Sequence, residues 1–147
     1  EQARRRGISV EHVAQAAESS APEFIRLSVQ SQNQTHELEG TVWADGKPRI
    51  LSIDGYRMEL VPERYMTLIF NDDQPGVIGL VGQTLGDARV NIADMALSRR
   101  GQTALMLLKL DEPMPAALRE SLAAQNPPIL SVRSVSLPPV SDELAST

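Results

Sequence analysis

The chain has 147 residues, 41% apolar and 22% charged, enough for one ordinary domain or two small ones and too few for a dinucleotide-binding domain plus a substrate domain. Lys and Arg total 14 against 19 Asp and Glu, a net charge of −5 with the same acidic bias on either side of Arg64, which speaks against a nucleic-acid or general phosphate-backbone binder. The absence of cysteine excludes disulfides, thiol catalysis and cysteine-ligated metals, and no apolar stretch is long enough to cross a membrane, so the expected setting is cytoplasmic.

The opening Glu1-Gln2-Ala3-Arg4-Arg5-Arg6-Gly7 has no apolar core after its charges, unlike a signal peptide, and reads as the end of a helix continuing from a longer protein. Ile8 to Ala17 fits two patterns: Val10, Val13, Ala14 and Ala17 suit a helix, whereas Ile8, Val10 and His12 suit a strand. From Phe24 to Ser31, Ile25, Leu27 and Val29 alternate with Arg26, Ser28 and Gln30, the period of a half-buried strand. Asn33-Gln34 turns the chain, and Leu38, Gly40 and Val42 then share one side. Asp45-Gly46 and Asp54-Gly55 are strong hairpin signals, because both residue types tolerate positive φ in a type I′ turn. An antiparallel meander from about Phe24 to Val61 follows.

Pro62 cannot donate to a sheet ladder, so Val61-Pro62-Glu63-Arg64 marks a boundary. Beyond it, Tyr65 to Phe70 is an apolar strand, and Asn71-Asp72-Asp73-Gln74-Pro75-Gly76 combines helix-capping acceptors with a Pro-Gly turn. Val77, Ile78, Val81, Leu85 and Ala88 lie within ~100° of each other on a helical wheel and predict an amphipathic helix. Val90 to Leu97 is a second strand, Arg99 to Gln102 a turn, and Thr103 to Leu110 a third, nearly all-apolar strand. Glu112-Pro113-Met114-Pro115 opens a second helix through Ala116, Leu118, Leu122 and Ala123. Asn126-Pro127-Pro128 stops it, and Ile129 to Leu137 is the last strand. The expected class is α+β: an antiparallel meander over 1–62, a β-α-β-β-α-β ferredoxin-like unit over 63–138 and a mobile tail over 139–147.

No catalytic motif is present. Gly76, Gly79, Gly82 and Gly86 follow G-x-x-G-x-x-G-x-x-x-G, which is neither a dinucleotide fingerprint nor a P-loop. His12 and His36 lack metal-ligand spacing, and the absence of histidine after Arg64 rules out a serine triad there. The third strand has no aromatic on which a nucleobase could stack. Gly79, Gly82 and Gly86 cluster opposite the apolar stripe of the first helix, where each costs up to ~1 kcal/mol relative to alanine. They make either a tolerated weak helix or a bare surface on which another chain can lie.

The turn from Asn71 to Gly76 is the best ligand candidate. Asn71 and Asp73 supply acceptors, and free N–H groups near Gly76 can hold a carboxylate, a combination suited to an amino-acid zwitterion. The alternative role for Asp73 is simply to cap the helix. Asn91, at the entrance of the second strand, lies ~20 Å from Asn71 along the sheet. One small molecule reaches both only if a two-fold dimer brings one chain's Asn91 to the other's turn.

Asn71-x-Asp73-x-Pro75-Gly76-Val77, with Val90-Asn91-Ile92-Ala93 after the helix, resembles the ACT domain that ends bacterial D-3-phosphoglycerate dehydrogenases. Gly40-Thr41-Val42 and Ile50-Leu51-Ser52-Ile53-Asp54-Gly55-Tyr56 resemble the intervening allosteric-substrate-binding (ASB) domain of the long form of that enzyme. The resemblance covers all but the tail, implies that 1–62 is a partial ASB domain, and implies an extended Ile8 to Val13. It implies L-serine at an ACT dimer interface, held by Asn71, Asp73 and the partner's Asn91, with the N–H groups near Gly76 free to face its carboxylate, although Asn71 departs from the histidine or tyrosine common at its position. It also implies an anion site at Arg49 and Lys109, with Arg57 nearby and a further family arginine replaced by Val61. For these three cations, a solvated strand face is the other reading. Catalysis and NAD binding would belong to a parent enzyme, not to these residues; homo-oligomerisation through the ACT domain is expected. Alternatives are the regulatory half of an iron–sulfur L-serine dehydratase and a stand-alone amino-acid sensor or dimerisation module.

Overall fold

The computed structural model describes residues 5, 7–11, 13 and 24–139. Its elements are β1 (Ile25–Gln30), β2 (Thr35–Val42), β3 (Pro48–Ile53), β4 (Tyr56–Leu60), β5 (Tyr65–Asp72), α1 (Val77–Asp87), β6 (Ile92–Arg100), β7 (Thr103–Leu110), α2 (Ala116–Ala123) and β8 (Ile129–Ser136). The class is α+β: two antiparallel sheets accompanied by α1 and α2.

The first sheet is the expected meander, in order β1-β2-β3-β4. Asp54 and Gly55 both take positive φ, as the tight turn between β3 and β4 requires. The Asp45-Gly46 turn differs from the expected two-residue form. Only Gly46 has positive φ, and residues 43–47 form a wider loop. Asp45 uses its carboxylate to accept from the Lys47 N–H at 2.9 Å, closing the loop by a side-chain contact. Gly40 has a steric reason: a Cβ there would lie 2.9 Å from the Arg49 carbonyl oxygen across the β2–β3 pair.

The second sheet has the order β6-β7-β5-β8, all neighbours antiparallel. α1 and α2 cover one face, where Val77, Val81, Leu85 and Leu122 pack on Ile69, Met106, Leu108 and Ile129. The first sheet covers part of the other face, where Leu60 meets Met66 and Leu107, with Ile50, Ile53 and Met58 around them. This explains the continuous apolar run of β7: covered on both sides, it has no solvent face to alternate toward. Polar contacts also join the sheets. The Tyr56 hydroxyl lies 2.7 Å from Thr103 Oγ1, its ring meets Phe70 edge-on at 5.6 Å, and Arg100 donates to the Asp54 carbonyl at 2.9 Å.

Several expectations are corrected. β1 is exposed along its whole length; among the described residues no layer lies over Ile25, Leu27 and Val29. Ile8 to Val13 is not a strand among its described residues; Ile8, Val10 and Val13 are exposed, with no strand alongside. Ile78 and Ala88, placed on the apolar stripe of α1, are exposed; Val77, Val81 and Leu85 are buried, and Leu80 packs partly buried against the core. Arg99 and Arg100 extend β6 rather than turning the chain, since both pair with β7 and leave Gly101-Gln102 as the turn. His12, residues 14–17 and the tail from residue 140 lie outside the described residues.

Candidate functional site

The segment following β5 is held by backbone bonds from two directions. The Asp72 N–H donates to the Pro128 carbonyl and the Asp73 N–H to the Gln102 carbonyl, each at 2.9 Å. These bonds fix the turn between the lead-in to β8 and the β6–β7 turn. Gly76 then takes φ +91° as the N-cap of α1, a conformation that L side chains resist. No side chain caps this helix, and no acidic residue occupies its first turn. The positive end of the helix dipole is therefore left without a neutralising group from its own first turn.

Asn71 is buried at the end of β5 and donates from Nδ2 to the Asp72 carbonyl at 2.6 Å. Its buried Oδ1 has no hydrogen-bond partner. An unsatisfied buried amide oxygen costs about 1–3 kcal/mol, so it is a position where an additional donor is favoured. Asp73 does not cap α1; its carboxylate accepts from Arg99 Nε at 2.8 Å. Asn71, Asp73 and Gly76 thus gather in one turn at one end of the second sheet.

Asn91 lies elsewhere. Asn71 is opposite Ala104, whereas Ile92, next to Asn91, is opposite Leu110 at the far end of β7. There Asn91 donates from Nδ2 to Asp111 at 2.8 Å, beside a shallow cleft lined by Glu63, Arg64, Tyr65, Asp94, Lys109 and Asp111. Within one chain Asn91 is at the wrong end to share a small ligand with Asn71. The edge that could bring a second copy is open among the described residues: there β6 pairs only with β7, and its Met95 and Leu97 are exposed. Ile78 and the open faces of Gly79, Gly82 and Gly86 are exposed on α1.

The three cations singled out for anion binding have different immediate partners. Arg49 pairs with Asp45 at 2.9 Å and stacks on Trp43; Lys109 pairs with Asp94 at 2.9 Å. Arg57 is exposed on β4 between Tyr56 and Met58, which face the second sheet. Two carboxyls are held below their ordinary range: Asp94 chiefly by the hydrogen bond from Lys109, Asp45 chiefly by the Lys47 N–H. Arg99 and Asp111, which hold Asp73 and Asn91, were not marked by the sequence motifs. The signal for Arg99 was its cationic position at the end of an edge strand; the reach to Asp73 depends on strand pairing. His36, set aside as a metal ligand, bonds from Nδ1 to Asp54 at 2.9 Å and faces Arg133 at 3.3 Å. No group of three or more potential metal ligands occurs among the described residues.

Residues 1–54 match the D-3-phosphoglycerate dehydrogenase intervening domain. The chain is 34% identical over 122 residues to the D-3-phosphoglycerate dehydrogenase of Methanocaldococcus jannaschii, covering 82% of this chain and 23% of that one. It is 32% identical over 138 residues to the enzyme of that name from Bacillus subtilis, covering 92% and 26%. It is 33% identical over 120 residues to the one from Synechocystis, covering 80% and 22%. The chain is related to the D-3-phosphoglycerate dehydrogenases. It spans about a quarter of the length of these relatives. Among the described residues, no helix is long and apolar enough to cross a membrane.

Proposed function

We propose that this chain is the regulatory, amino-acid-sensing and oligomerising C-terminal part of an NAD-dependent D-3-phosphoglycerate dehydrogenase of L-serine biosynthesis, working in the cytoplasm. The parent enzyme would oxidise 3-phosphoglycerate to 3-phosphohydroxypyruvate, passing hydride to NAD held by other domains. Residues 63–138 are an ACT domain in this reading, and 1–62 belong to an ASB domain. The β-α-β-β-α-β order with strands arranged β6-β7-β5-β8 supports the first assignment. The names of the relatives favour the dehydrogenase over an iron–sulfur serine dehydratase.

The observation that carries the reading is the turn itself: a carboxylate, a buried amide oxygen without a partner and an uncapped helix start in one place, on a chain related to this enzyme. L-serine would bring an ammonium for Asp73 and a carboxylate for the N–H groups near Gly76. The partner's Asn91 would complete the polar ring once two copies join along β6 and the glycine face of α1. An open strand edge with exposed Met95 and Leu97 supports such a joint, because an uncovered edge is otherwise an aggregation hazard. An anion held by Arg49, Arg57 and Lys109 is a weaker part of the reading, since two of these cations already have carboxylate partners.

Calorimetry with L-serine tests the proposal. Asp73→Ala and Asn91→Ala should each weaken binding about 10- to 150-fold, the effect of losing a charge-assisted partner, while Lys47→Ala should not. Mixed together, the two mutants should recover one intact site per heterodimer. Unchanged binding in both single mutants would eliminate the site.

A further inference from the structure

Arg99 sits where the ligand's ammonium would have to go. Its Nε donates to Asp73 Oδ2 at 2.8 Å, so the carboxylate assigned to the ammonium is occupied by the protein's own cation. The two partners are held unequally. Asp73 is 21% exposed and fixed through its backbone N–H to Gln102, whereas the Arg99 side chain is 70% exposed at the end of edge strand β6. In the single chain Arg99 is thus the less constrained partner of the pair and Asp73 the fixed one. Arg100, its neighbour, points to the opposite face of the strand and is engaged with the Asp54 carbonyl, so it cannot take over the contact.

We infer that Arg99 is a built-in competitor for the amino-acid site, a residue that sets ligand affinity by occupying Asp73 until an ammonium displaces it. This rests on the serine reading above and sharpens it. A ligand without an ammonium gains nothing by displacing Arg99, so the competition selects for amines. The guanidinium also keeps Asp73 neutralised when no ligand is present, which suits a sensor that must be stable in both states.

The test is L-serine and ethanolamine titrated into the wild-type chain, Arg99→Gln and Arg99→Lys. An exposed ion pair of this kind is worth enough to shift affinity roughly 1.5- to 5-fold. Arg99→Gln should bind both ligands more tightly by that factor, and Arg99→Lys should stay near wild type. A loss of folded structure would weaken binding and could not mimic this gain. Weaker serine binding by Arg99→Gln, with ethanolamine unaffected, would show that Arg99 instead recruits the ligand's carboxylate and would overturn the inference. Serine bound equally by all three forms would overturn it while leaving the serine reading intact; no serine binding by any form would overturn both.

Discussion

The two sheets have four strands each but differ in what covers them. In the second sheet, helices take one face and the first sheet takes part of the other, so Ile69, Leu105, Met106, Leu107 and Leu108 are fully buried. In the first sheet β3 and β4 make the apolar contacts with the second sheet, β2 reaches it where His36 faces Arg133, and β1 is exposed along its whole length. A strand's stability comes from what packs on it more than from its ladder, so the second sheet carries the core and β1 is attached to it at the far end of a meander.

The largest test of that contrast is truncation in each sheet. Met106→Ala or Leu108→Ala should lower unfolding free energy by about 2–5 kcal/mol, whereas Leu27→Ala in β1 should cost under about 0.5 kcal/mol, both measured by urea denaturation. Equal losses would mean that β1 is covered in solution. A smaller effect sharpens how the sheets are joined. Tyr56→Phe keeps the ring contact with Phe70 and removes the hydroxyl bond to Thr103, at a cost of about 0.5–1.5 kcal/mol. If the sheets unfold together, the whole transition should shift; if they separate, fluorescence from Trp43 and far-UV dichroism should cease to coincide.

The smallest effect is electrostatic. Lys109 holds the Asp94 carboxyl below its ordinary range, so this pair's stabilisation is fully present above the normal carboxylate pKa and is lost as pH falls through the lowered folded value. At neutral pH the contribution is constant. Acid titration of Asp94→Asn against wild type should therefore show a difference in stability that closes only at low pH, and that also shrinks with added salt because Asp94 is exposed.

Periodicity made the strands and helices readable because alternation and helical spacing are local properties. The Asp54-Gly55 turn was equally local. What alternation states is which face of a strand is apolar, not whether anything lies over it, and this is why β1 reads as half-buried and is bare. The stripe of α1 is misread at Ile78 for the same reason: the wheel gives direction, while burial depends on how far the sheet extends beneath the helix. The placement of Asn71, Asp73 and Gly76 in one turn followed from adjacency in sequence. Arg99 is 26 residues from Asp73, and their meeting depends on β6 and β5 flanking the same strand, which no local pattern encodes.

The strand order also dictates when the protein can be assembled as it is made. β5 is an interior strand whose two neighbours, β7 and β8, are both synthesised after it, and β8 ends at Ser136. Until Ile129 to Ser136 has left the ribosome, one edge of β5 has no partner, while Met66 and Ile69 already need cover. A chain halted before β8 would carry an apolar strand with an open edge, the form most prone to pair with a neighbouring nascent chain. Closure of the second sheet thus waits for the synthesis of β8, whatever the speed at which the meander before it forms.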